Sequence, residues 1–385
     1  MFRNRAVGLI AAAAFVFSAC QPGATATPAG GATATPGGTT AGGCVVGVSW
    51  NNYQQERWAK ADEPAMQAAI AAGGGSYIRA DARDNESTQL TDIDSLIAQG
   101  AQVLIVLAKD SVAIQPAVDK AKAAGIPVIA YDRLIFDSET FYITFNNVGV
   151  GALMAEEMVK AVPAGNYVII KGHQADPNAT FLRDGMKPSL DPLVASGAIT
   201  IVFEEFTDTW DTTKAQNNME NALNQNNNDV QAVISENDSM AVGVVQALER
   251  VGLRGTVPVT GQDGDKANLN FVALGYQLVD VWKDAFALGE TAGSVAIQLC
   301  AGTAATAVTA PSTLKAHVAP DSPAAAPFTT TDPSGKEVTV QSIILKPTPI
   351  LKDNLNLPID LGWITKADAC KDVDATSADA PAACK

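Results

Sequence analysis

Short, uninterrupted apolar runs recur along this chain, and amphipathic stretches of helix length separate them. Val45–Ser49, Val103–Leu107 and Val128–Tyr131 are such runs, and Ser76–Asp81 reads as a further strand. Between them the spacing predicts helices near Gln54–Ala72, over Glu86–Gln99 and over Ile114–Ala124. A strand without polar alternation must be covered on both faces, so the pattern specifies a parallel sheet between helical layers. The cycle then repeats. Helices are expected over Val148–Val162, Ala179–Ser196, Thr212–Gln225 and Asp238–Val251, with strands over Tyr167–Lys171, Thr200–Glu205, Val230–Ser235 and Val257–Thr260. Two rounds of the same alternation make an α/β protein of two Rossmann-like lobes.

In open sheets of this kind ligands bind beyond the carboxyl ends of the strands. Val128-Ile-Ala-Tyr-Asp-Arg133 ends in a pair of opposite charges, and polar groups fall at or just past other strand ends at Arg57, Asn237, Asp263 and Lys283. Both halves of the chain supply them, which points to a cleft between the lobes. Taken singly, several of these residues have ordinary uses. Asn237-Asp238 caps a helix, Trp58 belongs in a core, and Asp132-Arg133 holds a turn; the set together indicates a site.

The termini are of another character. Arg3 and Arg5 precede an apolar run, Val7–Ser18, too short to span a bilayer, and the run leads to Phe17-Ser-Ala-Cys20. Residues 1–20 read as a lipoprotein signal with Cys20 as the lipidated residue, anchoring the exported protein at the outer face of the membrane. Residues 21–43 contain Gly-Ala-Thr-Ala-Thr-Pro twice and read as a flexible tether. Cys44, Cys300, Cys370 and Cys384 remain, and in an exported protein an even number implies disulfides. Spacing favours a Cys370–Cys384 clip, which leaves Cys44–Cys300.

A net charge of −15 argues against nucleic acid and anionic membrane surfaces as partners. His173 and His317 lack metal-ligand spacing, and Gly261-Gln-Asp-Gly264 is too sparse for a phosphate loop, so no metal or cofactor is expected. Residues 302–340 carry no clean periodicity and read as an irregular insertion before a last strand, Val338–Leu345; residues 366–385 read as an acidic surface tail.

Several motifs in combination carry a family likeness: Glu56-Arg-Trp58, Ala130-Tyr-Asp-Arg133, Phe145-Asn-Asn147, Gly165-Asn-Tyr167, Asn237-Asp238, Gly261-Gln-Asp263 and Trp282-Lys283. With them the chain resembles the periplasmic sugar-binding proteins of ABC importers, its D-xylose-binding members above all. The resemblance implies a type I periplasmic binding protein with a three-strand hinge. Its ligand would be a monosaccharide, D-xylose first, and its partner an ABC permease; apart from the resemblance, a monomer is the default expectation. Sugar contacts carry over to Arg57, Trp58, Asp132, Arg133, Asp176, Asn178, Trp210, Asn237, Asp263 and Lys283. Pro177 and Asn51-Asn-Tyr53 depart from the family pattern. The implied lobes are 44–145 with 282–318, and 146–281 with 338–365, hinged near Asn146, Gly261 and Tyr276–Trp282.

The residue types suit that ligand. A pyranose has hydroxyls at its edge and C–H patches on its faces. Arg forks, carboxylates and Asn amides match the edge, and indole rings match the faces. Arg57, Arg133 and Lys283 balance Asp132, Asp176 and Asp263, which fits a neutral polyol better than an anion. A sugar sensor of the same fold is the nearest alternative. A glycoside-acting enzyme is a weaker one, because the neighbouring cations would keep Asp132 and Asp263 ionised.

Overall fold

A computed structural model describes residues 43–385; the signal, Cys20 and nearly all of the tether lie outside the described residues. The first lobe is a seven-stranded sheet. Its chain order begins β1 (Val45–Trp50), α1 (Glu63–Ala72), β2 (Ser76–Asp81), α2 (Glu86–Ala98), β3 (Val103–Val106), α3 (Gln115–Ala123), β4 (Val128–Tyr131) and β5 (Phe141–Phe145). The second lobe follows with α4 (Asn147–Ala161), β6 (Gly165–Lys171), α5 (Pro177–Ala195), β7 (Ile199–Phe206), α6 (Thr212–Gln225), β8 (Ala232–Ser235), α7 (Asp238–Arg250), β9 (Thr260–Gln262), α8 (Lys266–Leu274) and β10 (Val279–Trp282). The chain then returns to the first lobe through α9 (Ala285–Cys300), β11 (Ala326–Thr331) and β12 (Glu337–Leu345). It ends in the second with β13 (Thr348–Ile350), α10 (Asn356–Asp360) and α11 (Lys366–Ala369).

Strand order in the first lobe is β11-β12-β5-β4-β3-β1-β2. Every pairing is parallel except β11 with β12. In the second lobe β7-β6-β8 and β9-β10-β13 are joined by a bridge between Val233 and Val259, and only β13 runs antiparallel. The central strands are almost wholly apolar, and all four residues of β3, β4 and β8 are buried. Cores form on both faces of the first sheet, around Trp50 and Ile105 on one and Leu104 and Tyr142 on the other.

The structure departs from the sequence-based expectation in the lobe assignment, the insertion and the hinge. The family resemblance implies that residues 338–345 belong to the second lobe, but Gln341–Leu345 pairs in parallel with Phe141–Phe145 and extends the first sheet. The insertion is not wholly irregular, since Ala326–Thr331 forms a hairpin with Glu337–Leu345. It escapes periodicity because β11 is an edge strand with no fully buried residue. Finally, Gly261 lies inside β9 and Tyr276 precedes β10, so neither is a hinge. The chain crosses between lobes at Asn146, at Lys283 and at Lys346–Pro347.

Both disulfides are formed. Cys44 at the head of β1 joins Cys300 at the end of α9, and Cys370 joins Cys384.

Candidate ligand-binding site

In the first lobe, side chains hold side chains. After β1 the chain enters a π-helical turn, Trp58–Asp62, before α1 begins. Such turns are rare and gather at functional sites. Here the turn faces Arg57 toward Asp62, whose oxygens accept from Nε at 3.0 Å and Nη2 at 2.9 Å. The Tyr131 hydroxyl donates to the same carboxylate. Burial pushes Asp62 up to about 6, against the pull of Arg57 and Tyr131. The fixed guanidinium lies over the Trp58 ring, 4.4 Å from its centroid, and turns Nη1 into the cleft. There Nη1 is 3.1 Å from Asp263 Oδ1 and 3.4 Å from Asp132 Oδ2. Asp132 follows β4 with φ of 60°, its carbonyl bonded by Thr144 Oγ1 at 2.8 Å. Arg133 donates to the Ala108 carbonyl at 3.2 Å and pairs with Asp176 across the cleft at 2.7 Å.

In the second lobe the backbone does most of the holding. Asp176 caps α5 by accepting from the Asn178 amide at 3.0 Å, and Asn237 caps α7 by accepting from Met240 at the same distance. Asn178 in turn donates to Asp132 Oδ1 at 3.2 Å. Trp210 has φ of 58° and donates from Nε1 to Asp176 Oδ2 at 3.2 Å. Its ring lies so close over Gly172 that a Cβ there would stand 2.1 Å from it. Asp263 follows β9 with φ of 104°, and Lys283 follows β10 with Nζ 3.3 Å from Asp263 Oδ1. Non-glycine residues with positive φ are costly and gather where function over-determines the backbone. Asp132, Trp210 and Asp263 all belong to one site.

A carboxyl pair lies beneath Asp263. Asp238 Oδ2 and Asp280 Oδ1 both accept from the Gly264 amide, at 3.0 and 3.1 Å. Burial first, then the like charge of its partner, raises Asp238 well above the carboxylate range. Asp280 is also raised by burial, in spite of its bond to Asp238. The pair therefore keeps a proton in common.

All of the residues singled out as ligand contacts line one cavity between the lobes, with ≈ 310 Å³ of space counted out to its mouth. Gln55 and Gln262 line it too and carried no role in the sequence reading. Gln55 Oε1 accepts from Asn237 Nδ2 at 3.2 Å and from the Ser239 hydroxyl, linking the lobes. Gln262 Oε1 and Trp58 Nε1 are buried with no hydrogen-bond partner in the protein, and Asp132 Oδ2 has only its ion pair with Arg57. Buried polar atoms are nearly always paired, so these mark positions at which a bound molecule would donate and accept.

Positive and negative groups alternate around the cavity, which gives little net pull on an ion and many fixed partners for hydroxyls. Acid catalysis has no evident agent. Burial would raise Asp132, but Lys283, Arg57 and Arg133 outweigh it and hold the carboxyl below its usual range. Asp176 is raised by burial despite Arg133, yet its oxygens are taken up by Asn178, Arg133 and Trp210. Among the described residues no cluster of His, Cys, Asp or Glu is placed to hold a metal ion, and no helix is long and apolar enough to cross a membrane.

Residues 46–304 match the family model described as a periplasmic binding protein domain. The chain is 38% identical over 255 residues to the D-xylose-binding periplasmic protein of Escherichia coli (strain K12), a span of 66% of this chain and 77% of that one. Among solved structures, a carbohydrate transporter solute-binding protein from Chloroflexus aurantiacus in complex with D-glucose superposes with a TM-score of 0.72. Its identity is 25%, over 86% of this chain and 98% of its own. An ABC transporter solute-binding protein from Clostridium phytofermentans with bound β-D-glucose gives 0.71 and 26%, over 84% and 99%. By the match of its sequence and by its fold, the chain belongs to the periplasmic binding protein family.

Proposed function

We propose that this protein binds a monosaccharide, D-xylose in the first place, in the cleft between its lobes, as the extracytoplasmic receptor of an ABC importer. One observation carries the reading: residues of both lobes converge on one cavity of alternating charge, with two indoles and unpartnered polar atoms. The names of the relatives point the same way. Rotation about the crossings at Asn146, Lys283 and Lys346–Pro347 opens and closes the cleft. Sugar touching both lobes favours the closed form, and that difference in affinity is what drives closure. The closed protein then delivers its cargo to a membrane permease. Acylation at Cys20 would hold the protein, as a monomer, on the outer face of the membrane; mass spectrometry of the mature N-terminus tests this.

Tryptophan fluorescence titrated with D-xylose, D-glucose, D-ribose, L-arabinose and D-galactose tests the ligand. Saturation at micromolar concentration or below, led by D-xylose, is expected. Saturation by another sugar alone reassigns the cargo, and no response to any of them overturns the reading. A sensor that passes the sugar signal to a membrane receptor uses the same closed form and is separated by deleting the permease and measuring taxis. Release of sugar from an aryl glycoside by the purified protein would show an enzyme instead.

A further inference from the structure

The segment beyond residue 350 lies outside the family match, and its last part reads in sequence as a surface tail. In the structure it is built into the second lobe. Ile364, Ala369 and Cys384 are buried with Leu269, Trp282 and Ile350 in one apolar cluster. Asn270 Nδ2 donates to the carbonyls of Ala369 and Lys371 at 3.0 and 2.8 Å, and the Cys370–Cys384 bond closes the segment on itself.

From this base Trp363 reaches the second crossing. Its Nε1 donates to the Gly264 carbonyl at 2.6 Å. Its ring meets Trp282 at 5.5 Å between centroids and Phe286 edge-on at 5.4 Å. Each contact is next to something that matters. Gly264 follows Asp263, Trp282 precedes Lys283, and Phe286 opens α9, which packs on the first lobe. Two grooves open to solvent flank the ring, one lined by Asp284 and Leu314 and the other by Glu56 and Lys60. The half-buried indole is open to these grooves on both sides, so the contacts named above are what hold it.

We propose that Trp363 is a positioning residue for the cleft: it pins the Gly264 carbonyl, so that Asp263 and Lys283 keep their places, and it braces the second lobe against α9 when the cleft is closed. Asp238 and Asp280 hold the Gly264 amide from the other side, so the residue after Asp263 is fixed at both of its peptide groups. Asp263 needs such support, since φ of 104° is not a conformation it would adopt freely.

The inference rests on the sugar-binding reading, and the test separates the two. Trp363→Phe keeps the ring and removes the N–H; Trp363→Ala removes both. With the sugar that binds best, the Phe variant should weaken affinity by about 3- to 10-fold, mainly through faster dissociation, and the Ala variant by more. Without any sugar, amide hydrogen exchange at residues 263–265 should quicken in the Phe variant while β1 and β3 stay protected. Wild-type affinity, dissociation rate and exchange in both variants would overturn the proposal. Should the wild-type protein bind none of the sugars, the ligand reading fails, and exchange at residues 263–265 alone decides whether Trp363 holds that loop.

Discussion

The two lobes contribute to the same cavity by different means. The first fixes Arg57 through the side chains of Asp62 and Tyr131 and Arg133 through the Ala108 carbonyl, with Asp176 pairing Arg133 from across the cleft. The second fixes Asp176 and Asn237 as helix caps and presents Trp210 and Asp263 from backbone turned to positive φ. A side-chain network fails when one member is lost, because its partners are left buried and unpaired. Backbone-held groups fail more gently, and each failure also costs local stability.

The sharpest break should come from Arg57→Met. It strips the buried Asp62 carboxylate of its cation, a loss of about 3–5 kcal/mol of stability for a buried pair with one partner removed. Sugar affinity should fall by more than ~100-fold, through loss of a charged hydrogen-bond donor and of the network around it. Urea denaturation and the sugar titration read the two effects separately. Stability intact with binding lost would mean that Arg57 is not held as described.

Second in size is a pH effect under Asp263. The unfolded carboxyls of Asp238 and Asp280 lose their protons near pH 4, about 3.9 for a free Asp. The folded pair keeps one well above that. The native state thus binds more protons, and stability falls as pH rises from about 4 toward the folded value, by at most ~1.4 kcal/mol per pH unit for one proton. Asp280→Asn should flatten that slope and leave the protein relatively more stable at pH 8 than at pH 5. A melting-temperature series with an unchanged slope would show that the pair does not share a proton.

Gly172→Ala tests the close approach of Trp210. The added methyl collides with the ring, and overpacking of this kind costs about 1–3 kcal/mol. Displacing the indole should weaken sugar binding by roughly 10-fold. The mildest change is Asn237→Ala. It removes a cap worth about 1 kcal/mol together with the bond to Gln55, so stability and affinity should decline together. A loss of affinity without loss of stability would show that the cap does not hold Asn237 in place and would blur the contrast between lobes.

This contrast also explains what could be read in the sequence. Strand ends are visible as apolar runs that stop at a charge, and helix caps as Asn or Asp before a periodic stretch. Hence Asp132, Arg133, Asn237 and Asp263 stood out, and the structure brings them into one cavity. Asp62 did not, because within a helical stretch it resembles any solvated acid; only the buried fork of Arg57 shows what it does. Gln55 stands in the polar run Asn51–Gln55, where nothing local tells a cleft residue from a loop residue. Its partners Asn237 and Ser239 are 182 and 184 residues away. The strand β5 is fully buried but is not among the strands expected from the apolar runs, and without it β12 has no strand to join in the first lobe.

The Cys44–Cys300 bond spans 256 positions, and the whole stretch from α4 to β10 lies between its ends. Mechanically, the molecule is gripped at a closed ring and not at a loose end. A pull applied at residue 43 would reach β1 and α9 together, so β1, which lies between β3 and β2, cannot be peeled away ahead of the helix. The load passes into the first lobe as shear across two elements, and the three crossings between the lobes are spared.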